Sequence, residues 1–261
     1  MSAGKKKWKA CILVMVLFLI SGCSSNLQEE PQGIRVAVLD SGLLPGKSIR
    51  TDEGWNYLND SSSVDDEKGH GTQVAELICR YAPDAVIVPL KISGSMKETE
   101  PEMVIRAIYD AVDKFDCKVL CMSFSIPASE ELYQAVNYAW QKNVIMISAA
   151  GNLGETYKKN KLLYPAAYDE VIGVGAVDEN SEVAAYSQRS QSVFVTASGS
   201  SPDGTQQGTS YAAARIAGVC AGRHWDTPED FQNYLTDQVQ DCGVPGYDTD
   251  YGWGVWKHQK E

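Results

Sequence analysis

Short apolar runs rich in β-branched residues recur along this chain, and helical patterns separate them. Nothing else in the sequence restricts the fold as strongly. The runs lie at 34–39, 85–90, 118–122, 143–148, 171–175 and 193–196. Such alternation is the pattern of a parallel sheet with crossover helices, so the expected architecture is a three-layer α/β/α fold around a mainly parallel central sheet. Thr99 and Glu102 have the spacing of a capping box before a helix with Val104, Ile108, Ala111, Val112 and Phe115 on its apolar face. Ser129 is placed to cap a second helix, with Leu132, Ala135, Val136 and Ala139 inward. Two further helices are expected after Thr209 and Pro228. No repeat or interdomain linker interrupts the pattern.

The N-terminus has a different character. Lys5, Lys6, Lys7 and Lys9 precede an unbroken apolar run at 10–20, closed by Ser21, Gly22 and Cys23. A membrane-spanning helix needs about 20 apolar residues, so this run suits the central region of an export signal. The sequence Ile20-Ser21-Gly22-Cys23 resembles a bacterial lipobox, which implies acylation of Cys23. The expected organisation is a signal peptide at 1–22, a lipid-anchored tether at 23–33 and one domain at 34–261. The location expected from it is extracytoplasmic, at the bacterial cell membrane through Cys23.

Composition narrows the partners. The 23 Lys and Arg face 34 Asp and Glu, a formal net charge of -11, which argues against a nucleic-acid partner. Seven cysteines are present, of which Cys11 falls in the signal and Cys23 at the lipid site. Cys79, Cys117, Cys121, Cys220 and Cys242 remain, and their places read as buried thiols rather than a disulfide framework. No metal-ligand spacing is present. The acidic run Asp65-Asp66-Glu67 could hold calcium in principle, but it reads as a solvated surface loop. No cofactor is expected, and the expected state is a monomer.

Ligands of open α/β sheets gather at the carboxyl ends of the strands. Asp40 ends the first run and Asn152 follows the fourth, which places two polar side chains on one edge. Four segments carry chemistry-bearing residues: VAVLDSG (36–42), GHGTQVAELI (69–78), SAAGN (148–152) and GTSYAAARIAG (208–218). In the order Asp, His, Asn, Ser, at separations of 30, 82 and 58 positions, they resemble the subtilisin-like serine peptidases. The segment YPAAYDEVIGVGAVD (164–178) strengthens the resemblance.

The resemblance implies a Ser210 nucleophile, a His70 general base and an Asp40 carboxylate that orients the imidazole. Asn152 would stabilise the oxyanion together with the backbone N–H of Ser210. These residue types answer a chemical need, since a serine hydroxyl is a weak nucleophile without a base, and the base needs a fixed tautomer. The resemblance also implies a peptide groove between Ser123-Phe124-Ser125 and the loop 93–99. Ala149, Ala150 and Gly151 would line the specificity pocket, with Leu163 at its floor. That arrangement predicts a shallow pocket for small or medium apolar residues.

The chain departs from the family pattern in places. Ala214 stands for the usual proline, Arg215 for a frequent His, and Ser125 for a common Gly. Only 24–33 separates the lipid site from the first run, which leaves no room for the usual N-terminal propeptide. Two classes of function are consistent with these features. One is a serine endopeptidase acting on a peptide or protein, such as one secreted peptide. The other is an inactive pseudopeptidase lipoprotein that binds a peptide or protein partner.

Overall fold

The computed structural model describes residues 33–94, 99–154 and 161–257. The expected signal, Cys23 and the tether as far as residue 32 lie outside the described residues, as do residues 95–98 of the expected groove loop.

The sequence runs β1 (Arg35–Asp40), β2 (Trp55–Asn56), α1 (His70–Tyr81), β3 (Val86–Lys91), α2 (Pro101–Asp113), β4 (Val119–Met122), α3 (Glu130–Gln141), β5 (Ile145–Ala149) and β6 (Val171–Val177). It continues with β7 (Val195–Ser198), α4 (Thr209–Ala221), α5 (Pro228–Gln238), β8 (Val239–Gln240) and β9 (Val255–Trp256). Among the described residues the strands form one nine-stranded sheet in the order β2-β3-β1-β4-β5-β6-β7-β9-β8. Every named pairing is parallel except that of β8 with β9.

Apolar runs become two-sided strands because helices cover both faces. On one face, Val36, Val38, Cys121, Ile147 and Val174 pack with α1 and α4. On the other, Ala37, Leu39, Leu120, Met122 and Met146 pack with α2 and α3. Full burial of one such aliphatic side chain stabilises by about 1.5–3 kcal/mol, so strand identity is decided by the core. Cys117, Cys121 and Cys220 are free and buried, as expected, whereas Cys79 and Cys242 are free but only partly buried.

Two helix starts behave differently. Ser129 caps α3 as expected, its Oγ accepting from Leu132 N at 3.1 Å. The expected capping box of Thr99 and Glu102 does not form. The N-cap of α2 is Glu100, without a side-chain bond, and Pro101 begins the helix. Proline's fixed φ and missing N–H suit the first helical position, and that start leaves Thr99 one residue too early to cap. Of the expected apolar face Val104, Ile108 and Ala111 are buried, with Met103 and Ala107 added; Val112 is half-buried, and Phe115 joins the same core from beyond the helix end. A capping box does form at α5, between Thr227 and Asp230.

The strand order places the site. After β1 the chain passes to β2, two places away in the sheet, and returns to β3 beside β1, then crosses to β4 and continues through β5, β6 and β7. The order therefore reverses between β1 and β4, and a crevice opens at their carboxyl ends. Asp40 ends β1, and Ser123 follows β4 at that point.

Candidate active site

His70 is the first residue of α1, and its approach to β1 depends on the residue after it. A Cβ on Gly71 would lie 2.4 Å from Gly42 O and 3.2 Å from the Asp40 Cβ, so no larger residue fits between helix and strand. The imidazole Nδ1 lies 2.8 and 2.9 Å from the two Asp40 carboxylate oxygens. Both carboxylate oxygens can only accept, so Nδ1 carries the proton and Nε2 is left able to accept one. The Asp40 side chain is 6% exposed and that of His70 29%.

A second carboxylate stands behind this pair. Asp66 is buried, where the sequence suggested a solvated acidic loop; Asp65 and Glu67 beside it are exposed. Its Oδ1 accepts from Ser41 Oγ at 2.7 Å and Gly69 N at 2.8 Å. Its Oδ2 accepts from Thr72 N at 2.8 Å and Thr72 Oγ1 at 2.6 Å. The reason for burial is local: the open N–H groups at the start of α1 need an acceptor, and an anion is favoured at that end. Ser41 completes the link, since its N–H donates to Asp40 Oδ1 at 2.7 Å and its Oγ accepts from Gly71 N at 3.0 Å.

The electrostatic result is an imidazole whose pKa is held above its ordinary value of 6.5. Burial pulls the His70 pKa down, but the hydrogen bond and charge of Asp40 and the charge of Asp66 outweigh it. Burial alone would raise Asp66, yet its bonds from Thr72, Ser41 and Gly69 hold it below the usual carboxylate range.

Ser210 is the second residue of α4 and is buried, at the helix end where partial positive charge accumulates. The helices bearing His70 and Ser210 cross closely because Gly218 of α4 packs directly against α1. A Cβ there would meet Ile78 O and the Tyr81 Cβ at 2.8 Å. Tyr211 adds a brace, its ring centroid 5.6 Å from that of His70 and its hydroxyl 2.7 Å from Gln73 Oε1. Among the described residues no hydrogen bond joins His70 to Ser210. Such contacts are often loose until substrate binds.

Asn152 is oriented by Thr209. Its Oδ1 accepts from Thr209 N and from Thr209 Oγ1, both at 2.9 Å. A backbone N–H can only donate, so the oxygen must face Thr209, and Nδ2 is left free to donate elsewhere. The Thr209 hydroxyl in turn accepts from Gly151 N at 3.2 Å.

These groups meet in one open cavity of about 560 Å³, lined by Asp40, His70, Ser210, Asn152, Ser123, Phe124 and Ser125, with Lys68, Ser93 and Thr99. Ala149 instead packs into the core, and Ala150 is fully buried. Gly151 and Leu163 touch each other: a Cβ at 151 would fall 2.3 Å from Leu163 Cδ1. None of these four residues lines the cavity itself. Ser41, Thr72, Thr209 and Tyr211 were not marked as site residues by the sequence, and Asp66 read there as part of a surface loop. All five sit in or beside the four motif segments.

A model of the subtilase family matches residues 31–254. The chain belongs to that family. It is similar to thermitase of Thermoactinomyces vulgaris, with 30% identity over 215 residues covering 73% of this chain and 74% of thermitase. It is 27% identical to minor extracellular protease Epr of Bacillus subtilis (strain 168), covering 88% of this chain but 38% of that longer protein. Among solved structures it resembles a lanthipeptide protease, with a TM-score of 0.74, 25% identity and 86% of each chain covered. The subtilase fold and a serine-type peptidase reaction class follow. No helix among the described residues is long and apolar enough to cross a membrane.

Proposed function

We propose that this subtilase is a lipid-anchored, extracytoplasmic serine endopeptidase working through Asp40, His70 and Ser210. One observation carries the reading: both Asp40 oxygens hold His70 Nδ1, on a cavity whose lining also includes Ser210 and Asn152. In the reaction, Ser210 Oγ attacks the scissile carbonyl carbon as His70 Nε2 takes its proton. The oxyanion accepts hydrogen bonds from Asn152 Nδ2 and the Ser210 backbone N–H. Collapse expels the amine, which receives the proton from His70, and leaves an acyl-enzyme. Water activated by the same His70 then releases the acid.

The substrate we assign is a secreted peptide, cleaved at one site. The likeness to a lanthipeptide protease supports a dedicated processing role. The Leu163 side chain against Gly151 supports a shallow pocket for small or medium apolar residues before the cleaved bond. The lipobox-like Ile20-Ser21-Gly22-Cys23 supports anchoring at Cys23.

The test is hydrolysis of a matched peptide series by the full chain. Cleavage after Ala or Val above that after Phe, lost in Ser210→Ala, is expected. Equal cleavage after Ala and Phe would reject the pocket assignment, and turnover by Ser210→Ala would reject the mechanism. Palmitate labelling that disappears in Cys23→Ala tests the anchor; label retained in that variant would reject it.

A further inference from the structure

Arg215 stands on α4, five positions after Ser210, and is only 4% exposed. Its Nη1 donates to Ser200 O at 2.7 Å and to Tyr211 O at 3.2 Å, while its buried Nε has no partner. No carboxylate pairs with it among the described residues. A guanidinium does not lose its proton in a protein, and an unpaired buried charge is costly, so carbonyl dipoles alone leave this cation undercompensated.

The side chain lines a cavity of about 560 Å³, distinct from the peptide groove, between the ends of β6 and β7, β9 and the last turn of α1. Arg80 and Lys257 line the same cavity. Arg80 is exposed and spends one bond on Pro202 O, at 3.2 Å. Asp178 and Glu179 are the acids in the lining. Asp178 Oδ1 already accepts from Asn180 N and Glu182 N at 2.9 and 3.0 Å, and Glu179 is exposed. Three cations therefore face two acids, on a chain whose formal net charge is -11.

We propose that this cavity binds a small tetrahedral oxyanion of the phosphate or sulfate class. Arg215 is its buried anchor, and Arg80 and Lys257 close over it from the rim. Planar guanidinium forks match such oxyanions in geometry as well as charge. None of Asp40, His70, Asn152 and Ser210 lines this cavity, so the assignment is independent of the proposed peptidase mechanism.

The experiment is isothermal titration of the full-length protein with inorganic phosphate, at ionic strength held constant with sodium chloride. Saturable binding of one phosphate per chain, displaced by sulfate, is expected. The paired rim changes Arg80→Ala and Lys257→Ala should weaken it at least about tenfold, the loss of one or two charge-assisted hydrogen bonds. Arg215→Met should abolish it. Absence of saturable binding to the wild-type chain would overturn the proposal. Binding unchanged in the rim variant would also overturn it, and that variant decides the matter if Arg215→Met does not fold.

Discussion

At the scale of single residues, the proposed chemistry and the local charges pull His70 in opposite directions. His70 must be neutral to act as a base, yet Asp40 and Asp66 hold its pKa above 6.5. The rate kcat/KM should therefore rise with pH through an apparent pKa above 6.5 and then level off. A profile flat across that range would count against His70 as the base. Stability runs the other way. A histidine raised on folding stabilises fully below its unfolded value, and that contribution is lost as pH climbs through the folded value. Asn152 faces a simpler demand, with its oxygen spent on Thr209. Asn152→Ala should lower kcat by about 10²–10³-fold, the loss known for this donor in a subtilisin and adopted here by kinship, with KM little changed. Peptide hydrolysis kinetics would show it; a large KM effect with kcat intact would assign Asn152 to binding instead.

At the scale of elements, the proposed triad depends on two helix starts and one close crossing. Asp66 ties the first turn of α1 to Ser41 and hence to Asp40. Asp66→Ala should destabilise the fold by about 2 kcal/mol, from a lost cap and charge-assisted bonds. Because Asp66 is lowered on folding, its contribution is present above the ordinary carboxylate value and is lost as pH falls through the folded one. Denaturant melts at neutral pH and under acid would measure both, and a wild-type midpoint at neutral pH would contradict the assignment. Gly71→Ala should reduce kcat/KM by about 10²-fold by pushing α1 from Gly42 and misplacing His70. Retained activity would show that the helix start can move without cost.

At the scale of the whole molecule, the sequence exposed the sheet because strands buried on both faces are unbroken apolar runs, whose places the structure keeps within a few residues. Asp40, His70, Asn152 and Ser210, which the structure places on one cavity, stood out in the sequence because each sits in a compact motif. Short β2, β8 and β9 were not legible: strands of two residues carry no periodicity. Asp66 was misread because local composition describes an acidic loop, whereas its burial is decided by the N–H groups of a helix it precedes. Thr209 was missed because its role appears only when the ends of β5 and α4 meet.

The central claim is an assembled triad in which His70 activates Ser210. Its most direct test is reaction of the full-length protein with a fluorophosphonate, followed by intact mass and peptide mapping. The account predicts one adduct per chain on Ser210, slowed strongly in Asp40→Asn and absent in His70→Ala. A folded, cooperatively melting protein that gives no adduct, or one that labels equally without His70, would contradict it.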